Sequence, residues 1–341
     1  MSQNCLVKIG PKTISNSFDF FHCCLSKPQY FDEHALILFK HQYTNNLIYR
    51  RYCQQIGKSI KSVHKVDEIP FLPISFFRSH KVYSSNKPHE IVFESSRTTS
   101  EVPSKHFVQD VKIYEKSFLT GFENILGSVS DYAILALLPT YLERKNASII
   151  YMVNALIRYS RNPDSSFYLK EYQTLASQLK KFNRQHKKNI LFGLSSALLE
   201  FAQQYPLQLK NTIVMETGGT KGMSQEISKQ ELHDRLKKAF GLTSIHSEYG
   251  MTELLSQAYS VSDYILKTPP WMKIWIADVT DPFEILGYNK TGAIHVIDLA
   301  NIDSCSFIAT QDLGKLKSES TFELMGRFDH ADIRGCNLLF N

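Results

Sequence analysis

The sequence lacks the marks of a metal-binding, secreted or membrane protein. Its six cysteines, among 341 residues, form no Cys-x-x-Cys pair and no metal-ligand spacing. Reduced thiols in a cytoplasmic protein are the simplest interpretation. Residues 1–12 contain no apolar core of signal-peptide type. The longest apolar stretches, 133–138 and 190–202, are too short or too interrupted to span a bilayer. We therefore expect a cytoplasmic protein without a transmembrane segment.

Concentrated positive charge is also missing. Lys and Arg number 39 against 33 Asp and Glu, which gives a formal net charge of +6. The basic residues form only short clusters, such as Lys180–Lys181 and His186–Lys188, whereas nucleic-acid-binding proteins gather them on one surface. The composition predicts no nucleic-acid partner and is compatible with attraction for anionic small molecules.

The hydrophobic content, 43% of the residues, suffices for a large core and two or three subdomains. Aromatic and aliphatic residues at helical spacing in residues 14–66 predict two or three helices, which form an amino-terminal cap. Two prolines in the apolar run Ile69–Arg78 favour an extended, buried segment over a helix.

Residues 131–241 alternate between strand and helix patterns, which predicts a mostly parallel sheet with right-handed crossovers. Strands are predicted at 132–138, 189–193, 212–215 and 243–246. Helices are predicted at 149–158, 172–182 and 195–205, and from the capping-box candidate Ser228–Glu231 to Gly241.

After Pro269–Pro270 the pattern is strand-like, at residues 272–279, 292–299, 306–310 and 321–325. The predicted organisation is therefore a helical cap at 1–68, an α/β core at 69–268 and a β-rich region at 269–341.

The stretch Ser247–Glu253, which reads Ser-Glu-Tyr-Gly-Met-Thr-Glu, follows the predicted strand 243–246. The following residues, Leu254–Tyr259, are predicted as one or two helical turns. Ligands of open α/β sheets bind at the carboxyl ends of strands. The chemistry suits a nucleotide, because an aromatic ring stacks on a base, a glycine admits a phosphate, a hydroxyl donates to it and a carboxylate binds Mg²⁺. A polar turn is the alternative that these residues alone leave open.

A second polar loop follows the predicted strand Ile91–Glu94. It carries five hydroxyl side chains, Ser95, Ser96, Thr98, Thr99 and Ser100, and Lys105 comes shortly after. Hydroxyl and backbone N–H groups of such a loop can surround a phosphate. A Ser/Thr-rich surface turn is the alternative.

Five segments, in this order along the chain, resemble the motifs of the adenylate-forming superfamily. Phe93–Ser104 is similar to its phosphate loop, and Glu216–Gly219 to its adenine-side glycine turn. Tyr249–Glu253 is similar to its Tyr-Gly-x-Thr-Glu motif. Thr310–Gly314 is similar to its Thr-x-Asp segment, and Gly326–Asp329 to its Gly-Arg-x-Asp hinge motif.

Within that superfamily the chain most resembles the LuxE-type acyl-protein synthetases and related short acyltransferase-like proteins. Ile69–Arg78, Pro139–Leu142 and Asp332–Cys336 carry this likeness, which extends from about residue 45 to the end. It implies an α/β fold of the adenylate-forming N-terminal-domain type, with a helical cap, mostly parallel sheets with flanking helices, and a β-rich carboxy-terminal subdomain. The mobile carboxy-terminal domain of longer relatives is expected to be absent.

The activity that the resemblance implies is ATP-dependent activation of a carboxylic acid, with a fatty acid as the expected class. An acyl-adenylate forms, and the acyl group then passes to a thiol. That thiol belongs to Cys336 or to a partner, such as an acyl-acceptor protein or an acyl reductase.

The resemblance also assigns roles to individual residues. The catalytic set is Thr252, Glu253 and Cys336, with Thr252 at the α-phosphate, Glu253 on Mg²⁺ and Cys336 as acyl acceptor. The ATP-binding set is Ser95, Ser96, Thr98 and Thr99 at the phosphates, Gly218, Gly219, Tyr249 and Gly250 around adenine, and Asp312 and Arg327 at the ribose.

Two departures from the pattern keep an alternative open. Arg97 and Ser100 stand where the phosphate loop usually has glycine, and the lysine of the mobile domain has no counterpart. The alternative is a non-adenylating member of the family that transfers acyl groups or binds a nucleotide. Asp312 and Arg327 can instead pair with each other, and Cys336 can be a buried structural thiol.

Overall fold

The computed structural model describes residues 14–96, 102–139, 145–169, 171–218 and 227–327. The helices in this part of the chain are α1 (Ser17–Ser26), α2 (Phe31–Asn45), α3 (Leu47–Gln55), α4 (Phe76–Ser79), α5 (Val111–Leu126), α6 (Ser148–Ser160), α7 (Tyr172–Gln185), α8 (Ser195–Gln204) and α9 (Lys229–Phe240).

The strands of the same ranges are β1 (Leu72–Pro73), β2 (Ile91–Glu94), β3 (Lys105–Val108), β4 (Ala133–Leu137), β5 (Ser166–Phe167), β6 (Asn189–Leu194), β7 (Thr212–Thr217), β8 (His246–Tyr249), β9 (Ala258–Ser262), β10 (Ile265–Lys267), β11 (Met272–Ala277), β12 (Ile285–Leu286), β13 (Thr291–Asp298), β14 (Phe307–Ser318) and β15 (Thr321–Arg327).

These elements form two compact units. Unit 1 comprises Met1–Ser117, Met251–Ser256 and Thr268–Asn341, and unit 2 comprises Phe118–Gly250 and Gln257–Lys267. The helices predicted as a cap and the strands predicted as a β-rich region both belong to unit 1. The division of the chain at residues 68 and 268 stays a prediction.

The amino-terminal helices of unit 1 pack on the sheet of the same unit. Phe39 of α2 and Tyr49 of α3 lie against Phe307 of β14, with ring centroids 6.4 and 5.9 Å apart. The side chain of Asn46 accepts a hydrogen bond from the backbone N–H of Tyr49 and so caps α3. The two or three helices predicted for residues 14–66 are present.

The sheet of unit 1 is antiparallel in the order β12, β11, β13, β14, β15, and β1 joins β14 in parallel. Every second side chain of β11 is buried, namely Met272, Ile274 and Ile276, as expected of a strand with one face on the core. In the run Ile69–Arg78, β1 is extended, but α4 begins at Phe76, so the prediction of an extended segment is wrong for its end.

The sheet of unit 2 has the order β10, β9, β8, β7, β6, β4, β5, and its strands from β8 to β5 are parallel. All five side chains of β4 are buried, which is typical of a strand covered on both faces. Helices α7, α8 and α9 contribute apolar side chains to one core with these strands, among them Leu179, Phe201 and Leu236. The mostly parallel α/β arrangement predicted from the alternating pattern is confirmed.

Helix α9 begins and ends where the sequence predicts. The hydroxyl of Ser228 accepts a hydrogen bond from the backbone N–H of Glu231, at 3.1 Å. Gly241, with φ +64, follows the last helical residue, and its N–H donates to the carbonyl of Lys237.

Two predictions near the Tyr-Gly-x-Thr-Glu stretch are wrong. The strand predicted at 243–246 begins only at His246 and runs through Tyr249. The residues predicted as helical turns, Leu254–Tyr259, are a turn followed by β9. The carboxylate of Asp298 explains the turn, because it accepts hydrogen bonds from the N–H of Leu255 and the hydroxyl of Ser256, at 2.9 and 2.6 Å.

Candidate active site

The Tyr-Gly-x-Thr-Glu stretch starts inside strand β8 and leaves it at Gly250. The boundary between the two units falls after Gly250, so Tyr249 and Gly250 belong to unit 2, and Thr252 and Glu253 to unit 1. The candidate site residues therefore form two groups, which are described in turn.

In unit 2, the carboxyl ends of β7 and β8 carry two buried glutamates. Glu216 lies opposite Ser247 in the register of the two strands, and Thr217 and Glu248 come one residue later on each. Because successive side chains of a strand point to opposite faces, Glu216 and Glu248 lie on different faces of the sheet.

Glu216 is the centre of a buried polar cluster on one face. Its carboxylate accepts hydrogen bonds from the hydroxyls of Ser195 and Ser247, at 2.8 and 2.5 Å. It forms an ion pair with Lys229, and Nε2 of His233 lies 3.5 Å from its Oε1. Burial alone would raise the pKa of Glu216, but the hydrogen bond from His233, the charge of Lys229 and the two hydroxyls lower it to about 2. Glu216 is therefore ionised at neutral pH.

Glu248 lies in a different electrostatic setting on the other face. It accepts a hydrogen bond from the hydroxyl of Thr217, at 2.5 Å. Burial raises the pKa of Glu248 to about 7, the nearby charge of Glu216 adds to this, and the Thr217 hydrogen bond opposes it. Near neutral pH this carboxyl group therefore exists in both the protonated and the ionised form.

Two glycines next to these glutamates have clear structural reasons. Gly218 follows β7 with φ +84, a conformation that other residues adopt at a cost. A Cβ atom on Gly250 would lie 2.5 Å from Oε1 of Glu248, so the glycine leaves room for that carboxylate. Tyr249 is 5% exposed. Gly219 lies outside the described residues.

In unit 1, Glu253 is a buried carboxylate, 5% exposed. Its pKa is raised by burial, whereas a hydrogen bond from Ser104 and the positive charges of Arg327 and Arg78 oppose the increase. In such surroundings a neighbouring cation stabilises the ionised form of the carboxylate. Thr252 is only partly buried.

The backbone on either side of Glu253 is held by two side chains that the sequence analysis did not select. Nδ1 of His106 lies 2.8 Å from the carbonyl oxygen of Thr252. Nδ2 of Asn301 donates to the carbonyl oxygen of Glu253, at 2.7 Å. Desolvation lowers the pKa of His106 to about 4, although the hydrogen bond to Thr252 opposes the shift, so the ring is neutral at physiological pH.

The predicted phosphate loop connects the hairpin strands β2 and β3. The N–H of Ser95 donates to the carbonyl of Ser104, and the N–H of Ser104 donates to the hydroxyl of Ser95, at 3.1 and 2.9 Å. Ser96 is exposed. Thr98 and Thr99, together with Arg97 and Ser100, lie outside the described residues, so their role stays a prediction.

Asp312 and Arg327 face each other on β14 and β15. Nε of Arg327 lies 3.2 Å from Oδ1 of Asp312, with Asp312 largely buried and Arg327 about half exposed. The pairing that the sequence left open as an alternative is thus present, and ribose binding stays a prediction. Cys336 lies outside the described residues.

Other groups in the described ranges add no metal or membrane site. Cys23, Cys24, Cys53 and Cys305 are buried thiols. No cluster of three His, Cys, Asp or Glu side chains able to hold a metal ion occurs in these ranges. None of the described helices has the length and apolar character needed to cross a membrane.

Glu216 and Glu248 both lie in segments selected from the sequence, but neither glutamate was assigned a role. Each is a carboxylate next to a predicted strand. Because charged side chains are rarely buried, this position was a sign of a special environment. His106 and Asn301 carry no comparable signal, because the residues they hold are 146 and 48 positions away in the sequence.

Comparison with known proteins identifies the family. The family model described as acyl-protein synthetase, LuxE, matches residues 15–341. The chain belongs to this family. A relative from Vibrio harveyi, a long-chain-fatty-acid–luciferin-component ligase, is 21% identical over an aligned length of 333 residues, and the alignment covers 88% of this chain and 84% of the relative.

Solved structures show that this chain has the predicted adenylate-forming fold. A 2-hydroxyisobutyryl-CoA ligase with 2-HIB-AMP and CoA has a TM-score of 0.69 at 12% identity, covering 89% of this chain and 69% of the ligase. ATP-bound MatB from Rhodopseudomonas palustris has a TM-score of 0.53 at 13% identity, covering 72% of this chain. The chain spans about half of MatB, 49% of its length.

Proposed function

We propose that this LuxE-family protein uses ATP to convert a fatty acid to its acyl-adenylate and then transfers the acyl group to a thiol. The observation that carries the proposal is the Glu253 carboxylate, buried directly after Thr252 in a Tyr-Gly-x-Thr-Glu stretch and held there through its backbone. Membership of a family of acyl-protein synthetases supports the same reaction.

The reaction has two steps. A carboxylate oxygen of the fatty acid attacks the α-phosphorus of ATP, and the bond from that phosphorus to the bridging oxygen breaks, which releases pyrophosphate. A thiolate then attacks the acyl carbon, AMP leaves with the former carboxylate oxygen, and a thioester remains. The thiol proton goes to solvent or to a base, and no oxidant or reductant is required.

The residues of unit 1 fit a magnesium ion that accompanies a nucleotide. Mg²⁺ is usually held by one or two carboxylates together with substrate phosphates. A single buried carboxylate, Glu253, whose charged form is disfavoured by burial, fits that arrangement. When bound, Mg²⁺ supplies positive charge that stabilises the transferring phosphoryl group. The hydroxyl of Thr252 would donate to the α-phosphate, and Ser95 and Ser96 would contribute to the phosphate loop.

The residues of unit 2 fit a nucleoside. Gly218 and Gly250 come directly after β7 and β8, at the carboxyl ends of the strands, where ligands of open α/β sheets bind. The Tyr249 ring would stack on adenine. In unit 1, Asp312 and Arg327 would hold the ribose hydroxyls, and binding would then exchange part of their mutual ion pair for hydrogen bonds to the sugar.

The acyl acceptor is proposed to be Cys336, with a partner protein as the alternative acceptor. The relative from Vibrio harveyi is named for a fatty-acid substrate and a luciferin component, which favours a long-chain acid over an aromatic one. A reductase that takes over the acyl group would be the expected partner of such a reaction.

Trapping with hydroxylamine tests the proposal. The protein is incubated with ATP, Mg²⁺ and fatty acids of increasing length, and acyl hydroxamate is measured by mass spectrometry. Hydroxamate that requires ATP and one class of acid supports adenylation. The absence of hydroxamate with every acid, in a protein whose circular dichroism shows it to be folded, would refute the proposal.

A further inference from the structure

The Thr252–Glu253 backbone has two side-chain anchors in unit 1. His106, on β3, and Asn301, in the loop between β13 and β14, are both fully buried. Each contacts a main-chain carbonyl, at 2.8 Å for Thr252 and 2.7 Å for Glu253. A carbonyl accepts hydrogen bonds only, so His106 donates through a protonated Nδ1. The peptide groups on both sides of the Glu253 α-carbon are therefore fixed.

The anchors are themselves held by the surrounding fold. The ring of Phe77, on α4, meets the His106 ring edge to face, with centroids 5.9 Å apart. Gln42, on α2, donates from Nε2 to the carbonyl oxygens of Asn301 and Ile302, at 2.8 and 3.0 Å. The amino-terminal helices thus position the loop that carries Asn301.

A small cavity lies beside the two anchors. It has a volume of about 10 Å³ and is lined by His106 and Asn301, among other residues. Nε2 of His106 and Oδ1 of Asn301 are buried and have no hydrogen-bond partner in the part of the chain that the structure describes. Both atoms are acceptors, and a cavity of this size can hold one water molecule.

We propose that His106 and Asn301 are positioning residues, which fix the carbonyl groups of Thr252 and Glu253 and thereby aim the Thr252 hydroxyl and the Glu253 carboxylate. This proposal rests on the proposed function for its kinetic consequence. It follows from the geometry that the protonated nitrogen of His106 must be Nδ1, because only that nitrogen faces the Thr252 carbonyl.

Three variants separate positioning from general stability. His106→Asn keeps an N–H donor at the place of Nδ1, whereas His106→Gln moves the amide toward the place of Nε2 and leaves the Thr252 carbonyl without its donor. His295→Gln is the matched control, since His295 is also a buried histidine of unit 1, on β13, and its ring packs against Phe71. Thermal unfolding shows whether each variant is folded.

Two readouts are measured for each variant. ATP–pyrophosphate exchange gives kcat and KM for the acid, and hydrogen–deuterium exchange of the free protein gives the protection of peptides that cover residues 250–257. For His106→Gln we expect kcat to fall on the order of tenfold to hundredfold, since small displacements of catalytic groups have effects of this size. We expect little change in KM for the acid and faster deuterium uptake in 250–257.

The comparison among the variants decides the outcome. We expect His106→Asn to recover most of the lost kcat and protection, and His295→Gln to stay within about twofold of the wild-type kcat. Equal kcat and equal uptake in His106→Gln and His295→Gln would overturn the proposal, and so would equal losses in His106→Gln and His106→Asn. If the wild type catalyses no ATP–pyrophosphate exchange, the proposed function fails. The deuterium uptake of residues 250–257 then decides alone whether His106 positions this segment.

Discussion

Replacing Glu248 by Gln is expected to stabilise the folded protein at neutral and alkaline pH. Glu248 is buried at the end of β8, and its hydrogen-bond donor is the hydroxyl of Thr217. A glutamine side chain has nearly the same shape, and its amide oxygen can accept the same hydrogen bond. The substitution therefore removes the cost of ionising a buried group and leaves the packing in place.

The magnitude follows from the pKa of Glu248, which burial raises from 4.5 to about 7 in the folded state. Between these two pH values the unfolded chain has already lost a proton that the folded chain keeps, so raising the pH favours unfolding. The wild-type protein therefore loses stability progressively from about pH 4.5 to about pH 7, and this group causes little further loss at higher pH. At 1.36 kcal/mol for each pKa unit, the loss from this one group reaches about 3 kcal/mol.

Urea unfolding followed by circular dichroism at pH 5 and pH 8 measures the effect. We expect the free energy of unfolding of Glu248→Gln to exceed that of the wild type by about 2.5 kcal/mol more at pH 8 than at pH 5, because part of the loss has already occurred at pH 5. Glu123→Gln, at an exposed position of α5, is the control and should show the same pH dependence as the wild type. A stability difference between Glu248→Gln and wild type that does not grow with pH would refute the reasoning.

Three further predictions concern other parts of the chain. Ser228→Ala removes the cap of α9 and should cost about 1 kcal/mol of unfolding free energy in urea; an unchanged midpoint would contradict it. Cys336→Ser should abolish acylation of the protein by radiolabelled fatty acid but leave pyrophosphate exchange intact, and persistent labelling would assign the acceptor elsewhere. The double substitution Arg97→Gly with Ser100→Gly should raise the rate of ATP–pyrophosphate exchange only if the loop has lost its phosphate-binding role. A lower rate would show that Arg97 or Ser100 contributes to ATP use.

The alternating elements of unit 2 were predictable because their signals are local. Apolar runs such as Ala133–Leu137 are short, and α9 has a capping serine at one end and a glycine at the other. The pattern of buried residues in one helix or strand does not depend on distant contacts. The sequence therefore predicted β4, β6, β7 and α6–α9 with small errors at their ends, whereas β8 is displaced from its predicted position.

The turn after Glu253 was not predictable for the opposite reason. The apolar residues of 254–259 recur at the spacing of a helix. However, Asp298, more than 40 residues away, accepts hydrogen bonds from the N–H of Leu255 and the hydroxyl of Ser256. The hydroxyl of Ser256 also accepts from the indole N–H of Trp271, at 3.0 Å. Such long-range hydrogen bonds override a local preference.

The candidate site shows the same division between local and distant information. Tyr249 and Glu253 were identified from the sequence because both belong to one short motif, residues 249–253. The contrasting surroundings of Glu216 and Glu248 depend on the register of β7 with β8, which pairs residues 31 positions apart. Only the folded structure reveals that His106 holds Thr252.

Pyrophosphate exchange tests the central claim most directly. Labelled pyrophosphate is incubated with ATP, Mg²⁺, a fatty acid and the wild-type protein, and then with Glu253→Gln and the control Glu33→Gln, which alters an exposed residue of α2. We predict exchange that requires the acid, continues in Glu33→Gln and falls at least a hundredfold in Glu253→Gln. Exchange that Glu253→Gln retains would contradict the assigned role of Glu253, and no exchange with any acid in the folded wild type would contradict adenylation itself.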